Sequence, residues 1–195
     1  MPERAFRRQI LEQARLAPGM RILDVGCGTG TLLIDAFHLE PDAMLCGVDG
    51  DVSILQLAVN KVVRSAAAVR VVAGLANLLP FRSLSFDKVL STLMLHHLTH
   101  AEKIAALSEV FRVLRPGGEL FIADWGRPHT KTMRLASVML GSFERGDRIT
   151  DNLQGRLPEL CLDAGFSRVR STRRFRTMFG TLELIAAAKP ERIAG

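Results

Sequence analysis

Leu23-Asp24-Val25-Gly26-Cys27-Gly28-Thr29-Gly30 decides how the chain is read. The apolar run 20–25 predicts a short buried strand, and 31–39 predicts a helix. Three glycines in the turn between them let backbone come close to a ligand, because no Cβ intrudes. The same turn aims the amides of the helix N-terminus at whatever binds there. The dinucleotide fingerprint is G-x-G-x-x-G. Here position 31 is Thr and the third glycine is Gly30, which makes the spacing G-x-G-x-G. That spacing argues against a pyrophosphate cradle and for a ligand with a smaller anionic group. On the glycines alone, a tight turn with no ligand stays open as the alternative.

Outward from this turn, strand and helix patterns alternate. Phe6, Ile10, Leu11 and Ala14 recur at helical spacing and predict a helix over 3–16, stopped by Pro18-Gly19. Strands are predicted over 43–48, 69–73, 86–91 and 119–123, with a loop at 78–81. Helices are predicted over 53–65 and 101–114, the second ended by Pro116-Gly117-Gly118. Farther on, 131–143 reads as a helix rich in Met133, Leu135, Val138, Met139, Leu140 and Phe143. A helix over 153–164 follows. Strands over 166–175 and 180–188 then meet near Gly180 in an antiparallel hairpin. The series predicts an α/β fold: a Rossmann-like, doubly wound, mostly parallel seven-stranded sheet with an antiparallel last strand and helices on both faces. No repeat or linker interrupts it. One domain over 1–195 is expected, with 1–18 as an N-terminal helical segment and 126–150 as a substrate lid.

Composition agrees with an ordinary globular chain: 195 residues, 48% hydrophobic and 24% charged. Cys27, Cys46 and Cys161 are too few and too scattered for a disulfide framework or a zinc pattern, which fits a reducing compartment. No apolar run approaches the roughly 20 residues of a membrane helix, and Met1-Pro2-Glu3-Arg4 opens no apolar signal region. A cytoplasmic location is expected. The net charge of +6 is partly local, since Arg168, Arg170, Arg173, Arg174 and Arg176 crowd one segment. Such a cluster either attracts an anionic partner, nucleic acid included, or guards a solvated strand edge.

Asp49 ends the second predicted strand roughly 20 residues past the loop, where a carboxylate can accept hydrogen bonds from both hydroxyls of a ribose. Its alternative role is to cap the helix that starts near Ser53. Asp24 stands on the first strand just before the glycines. A carboxylate buried there needs a partner, and a ligand ammonium would serve; a backbone-capping role is the alternative.

With these residues assembled, the chain resembles the class I S-adenosylmethionine-dependent methyltransferases. Leu23 to Gly30 is similar to their first motif, and Gly47-Val48-Asp49 to their acidic motif after the second strand. Leu79-Pro80-Phe81, Ser85-Phe86-Asp87-Lys88-Val89, Arg112-Val113-Leu114-Arg115-Pro116-Gly117-Gly118 and Leu184-Ile185-Ala186-Ala187-Ala188-Lys189-Pro190 resemble later landmarks. The style is that of the ubiquinone- and menaquinone-biosynthesis group (methyltransferase type 11). The resemblance implies S-adenosylmethionine as cofactor and S-adenosylhomocysteine as product, in a group whose acceptors vary widely. The methionine-rich stretch 131–143 is either a core helix or a lid, and as a lid it points to a small, partly apolar methyl acceptor. The resemblance also implies that Gly26, Cys27, Gly28 and Gly30 flank the methionine part, that Asp24 helps hold its ammonium and that Asp49 holds the ribose. Gly50 and Asp51 would lie near the adenine, with Ser91 and Thr92 at the end of the fourth strand completing the set. Leu75 stands where the family usually has Asp beside the adenine amino group, leaving Asn77 or the backbone of Ala76 as substitutes.

His96 and His97 follow the fourth strand, at the edge where open α/β sheets bind ligands. Either could take a proton from a nucleophile, or one could pack while the other is exposed. His100 completes an H-H-x-x-H spacing that lacks an acidic metal ligand. A methyltransferase acting on RNA and a cofactor-binding protein without catalysis are the competing functions. The segment Ser91-Thr92-Leu93-Met94 lacks the proline-aromatic motif of base-amino methyltransferases, and aromatic platforms for splayed bases are scarce.

Overall fold

Short apolar runs rich in Val, Ile and Leu suit strands covered on both faces, as a parallel sheet demands. The computed structural model describes residues 3–130, 133, 146–177 and 180–191. Its strands are β1 (Arg21–Val25), β2 (Met44–Asp49), β3 (Val69–Ala73), β4 (Phe86–Thr92), β5 (Leu114–Gly126), β6 (Ser167–Thr177) and β7 (Gly180–Ala188). The helices among the described residues are α1 (Glu3–Ala14), α2 (Thr31–Leu39), α3 (Val52–Ser65), α4 (His100–Val113), α5 (Gly146–Gln154) and α6 (Leu157–Asp163). The seven strands form one sheet in the order β3-β2-β1-β4-β5-β7-β6. β1 pairs in parallel with both β2 and β4, while β7 runs antiparallel to both β5 and β6. The doubly wound sheet with an antiparallel last strand is therefore present.

Successive side chains divide the core into two layers. Ile22, Leu45, Leu90 and Phe121 face α1 and α2. Leu23, Val89, Ile122 and Ile185 face the other way, with Leu107 and Val110 of α4 and Leu160 of α6. At about 25 cal/mol per Å² of apolar surface, two such layers supply most of the driving force. Among the described residues no helix is long and apolar enough to cross a membrane.

Two departures from the sequence reading have physical causes. β5 extends back to Leu114, which pairs with Phe86 before a bulge, so Pro116-Gly117-Gly118 sits inside the strand rather than before it. The helix expected over 153–164 is two helices. Gly155 takes φ +74 after α5, a left-handed stop that favours glycine, and α6 restarts with proline in its first turn. Of the helix expected over 131–143, only Met133, which is buried, belongs to the described residues; the rest of that stretch lies outside them. The arginine cluster falls on β6, the outermost strand, where Arg174 reaches Glu183 and Arg173 stacks over Phe175.

Thr99 opens α4 with a capping box: its hydroxyl accepts from Glu102 N, and the Glu102 carboxylate accepts from Thr99 N at 2.8 Å. Loss of such a cap costs about 1 kcal/mol. Thr99→Ala should lower Tm by about 2–4 °C in a thermal melt while leaving the crevice above β1 intact. A Tm unchanged within 1 °C would show that α4 does not depend on this cap.

Candidate functional site

The strand order reverses between β1 and β4, which is where open α/β sheets leave a crevice at the carboxyl ends of their strands. A cavity of about 490 Å³ opens there, walled by Gly26, Cys27, Gly28, Asp49, Gly50, Asp51, Leu75, Ala76, Thr92 and His97 among others. That volume falls in the range of small-molecule sites, about 300–1,000 Å³.

The loop's shape follows from its glycines at two positions. Gly26 has φ +74, and a Cβ there would collide with the Met94 side chain, 2.6 Å from its Cβ. Gly28 has φ +52, and a Cβ there would meet nothing within 4 Å. That space is open toward the cavity, so the loop leaves room at Gly28 for something outside the protein. Asp49 stitches the loop to the end of β2: one carboxylate oxygen accepts from Gly28 N at 2.8 Å, the other from Asp51 N at 3.0 Å. A carboxylate offers about four acceptor positions, so Asp49 can still accept hydroxyl donors. The cap of α3 is Asp51, whose side chain accepts from Ser53 N and Ile54 N. The Ser53 hydroxyl and these amides hold the Asp51 carboxyl below its ordinary value.

Asp24 lies beneath the loop. It is 1% exposed, and neither carboxylate oxygen has a hydrogen-bond partner among the described residues. Burial, and secondarily the charge of Asp49, pushes its carboxyl up to about 7. An orphaned buried carboxylate costs on the order of several kcal/mol when charged, so it either holds its proton or awaits a cation. This orphaned acid, the open space at Gly28 and the spare acceptor positions of Asp49 together fit a ligand with an ammonium group and paired hydroxyls.

The other sequence-predicted residues divide between the cavity wall and the layers behind it. Leu75 is half-exposed and packs over Gly50, where a Cβ would stand 3.1 Å from its Cδ2. Asn77 is exposed in the turn closed by Leu78 N to Leu75 O at 3.1 Å, off the cavity wall. Gly30 supports the start of α2. Ser91 is buried behind Thr92, its hydroxyl also unpartnered.

The two histidines separate. His96 is buried, and its Nδ1 lies 2.8 Å from Asp124 Oδ1. Asp124 also accepts from Leu95 N and Trp125 N. An acidic acceptor on Nδ1 assigns the proton to that nitrogen. His97 lines the cavity, its ring centroid 3.9 Å from that of His96. Arg148 of α5 donates to the His97 carbonyl at 2.8 Å.

Sequence reasoning missed the apolar wall. Ile54, Leu93, Met94 and Leu98 line the cavity, and such residues carry no motif. Leu93 has φ +52, a strained conformation for a leucine that is found most often at functional sites. Asp124 was also missed, because only the β4–β5 pairing brings it to His96, 28 residues away in sequence.

Residues 22–118 match the family model described as a methyltransferase domain. The chain is 31% identical over 169 residues to an uncharacterized methyltransferase of Synechocystis sp., covering 86% of this chain and 76% of the relative. It is 33% identical over 132 residues to a demethylmenaquinone methyltransferase of Symbiobacterium thermophilum, covering 66% of this chain and 52% of that protein. The chain thus spans about half the length of several curated relatives it matches. The fold is shared with phosphoethanolamine N-methyltransferase 2 of Haemonchus contortus in complex with S-adenosyl-L-methionine. The TM-score is 0.76 at 20% identity, over 95% of this chain and 52% of that one. It is also shared with the YcgJ protein of Bacillus subtilis, at TM-score 0.75 and 16% identity, over 95% of this chain and 98% of that one.

The raised carboxyl of Asp24 sets a pH signature for the ligand-free protein. The fold binds this proton more tightly than the unfolded chain, whose carboxyl titrates at 3.8. That stabilisation is complete below about pH 4 and is lost as pH rises through about 7. Asp24→Asn should remove this slope and raise stability at pH 8 by a few kcal/mol, on the order expected for a shift of this size. Denaturant titrations of both proteins from pH 4.5 to 8 check it. Parallel pH profiles would contradict the orphaned carboxylate.

Proposed function

The chain belongs to the class I S-adenosylmethionine-dependent methyltransferases, and from that premise we propose that it methylates a small, partly apolar acceptor in the crevice between β1 and β4. The observation that carries this reading is Asp24, a buried carboxylate with no hydrogen-bond partner among the described residues, beside a glycine turn that leaves space for a ligand. S-adenosylmethionine, when bound, supplies a methyl group already activated by its sulfonium. Asp24 would hold the methionine ammonium, directly or through water. Asp49 would accept the two ribose hydroxyls in its spare acceptor positions. Gly50, Asp51, Leu75 and Ala76 would flank the adenine largely by packing, since Leu75 offers no hydrogen bond, and Asn77 would contribute only if its exposed turn moved. Gly26, Cys27, Gly28 and Thr92 would bound the methionine side, with Gly30 and Ser91 supporting from behind.

The chain's own chemical work is alignment and proton removal. Holding nucleophile and methyl in line supplies much of the rate of such a displacement. His97 is the residue proposed to receive the acceptor's proton, because it stands on the cavity wall. His96, tied to Asp124, would hold the His97 ring in place by contact. Leu93, Met94 and Leu98 make the wall beside His97 apolar, which supports an acceptor with apolar bulk. A demethylated quinone, named in several relatives, is the acceptor to test first.

Asp49→Ala should weaken S-adenosylhomocysteine binding more than tenfold, about 1.4 kcal/mol, in a calorimetric titration; unchanged affinity would refute the ribose role. With an acceptor in hand, His97→Ala should lower kcat by about a hundredfold, the scale of general-base catalysis, with S-adenosylhomocysteine affinity preserved. If kcat is insensitive to His97→Ala, alignment alone drives the transfer.

A further inference from the structure

Parallel sheets are normally covered by helices on both faces. Here the crossovers from β1 to β2, β2 to β3 and β4 to β5 each carry a helix, but residues 74–85 between β3 and β4 form none. α2 and α3 cover one face of β2 and β3. On the other face, the side chains of Cys46, Val48, Arg70 and Val72 share one side of the β2–β3 pair. Val48 is buried in the core beneath α4. Toward the amino ends of the strands the cover runs out, and a groove of about 740 Å³ remains. Its floor includes Cys46, Val72 and Phe81, and its rim carries Arg21, Arg70 and Arg82, with no acidic residue in the lining. None of these three guanidinium groups makes an ion pair or hydrogen bond among the described residues, and all three are exposed. The groove opens at the edge of the sheet opposite the crevice walled by Gly28 and Asp49.

We propose that this groove is a second ligand site, for a single-chain anionic amphiphile with a phosphate or carboxylate head and an apolar tail. Charge and shape act together. Guanidinium groups bind oxyanions through paired donors. The nearby Asp87 accepts from Arg21 N and is paired with Arg115, so three guanidinium groups on a lining without a carboxylate favour a negative head group. The floor beneath them gains about 25 cal/mol for each Å² of apolar surface covered. The volume lies within the about 300–1,000 Å³ typical of small-molecule pockets. A bare sheet face left by a helixless crossover gives the tail what a helix would otherwise cover. The inference is independent of the proposed methyl transfer, since it uses no residue of the crevice.

The test uses dodecyl phosphate below its micellar concentration, with inorganic phosphate and dodecanol as separate arms. Cys46 in the floor reports occupancy through its rate of modification by N-ethylmaleimide, read by peptide mass spectrometry; the buried Cys161 serves as reference. Dodecyl phosphate should slow Cys46 modification at least fivefold, and neither half-molecule alone should match it. The Arg21→Gln/Arg70→Gln/Arg82→Gln variant should weaken calorimetric binding at least tenfold without changing S-adenosylhomocysteine affinity. Val72→Trp, which fills the floor, should also abolish protection. Absence of protection, equal binding by the triple variant, or competition by S-adenosylhomocysteine would each overturn the proposal. The last outcome would assign the amphiphile to the crevice.

Discussion

A carboxylate buried without a partner is the constraint around which the crevice is organised. Asp24 lies on a strand flanked by β2 and β4 and is almost wholly buried. A folded protein tolerates such a group only if it stays protonated or if something else neutralises it. The surroundings leave both routes open. The glycine turn above it keeps backbone close and side chains away, and Asp49 holds that turn to the end of β2. A second carboxylate so near raises the cost of ionising Asp24, which increases what an incoming cation gains. The loss of stability is local, and ligand binding can recover it.

The same strand order gives the molecule two unequal edges. At the carboxyl edge, β1 and β4 send their chains to opposite faces, and the crevice follows from the topology. At the amino edge, the absence of a helix between β3 and β4 leaves a groove with a basic rim. The crevice wall carries Asp49 and Asp51, while the rim of the groove carries Arg21, Arg70 and Arg82. Between the edges lies an apolar core in two layers.

Most of the fold was legible in the sequence because its signals are local. The segments 31–39, 69–73 and 180–188 match their predicted bounds, since each is an apolar-rich run with glycine or proline within two residues of its end. The break at Gly155 was missed because the apolar residues on both sides keep a helical spacing. The extension of β5 through Pro116-Gly117-Gly118 depends on pairing with β4, which no local pattern encodes. The polar half of the crevice was also legible: acids and glycines carry motifs, and Asp49 and Gly28 do stand on its wall. The division between His96 and His97 was not, because adjacent residues look equivalent until Asp124 arrives from another strand. Asp51 rather than Asp49 caps α3, a choice fixed by backbone angles and not by residue type.

The central claim is that Asp24 releases its proton to solvent when a cationic ligand binds in the crevice. Calorimetry of S-adenosylhomocysteine binding from pH 5.5 to 8.5, in buffers of different ionisation enthalpy, tests it most directly. The account predicts that affinity rises with pH up to about 7, that close to one proton is released per binding event below that pH, and that Asp24→Asn abolishes the release. Binding that is independent of pH and identical in Asp24→Asn would contradict it.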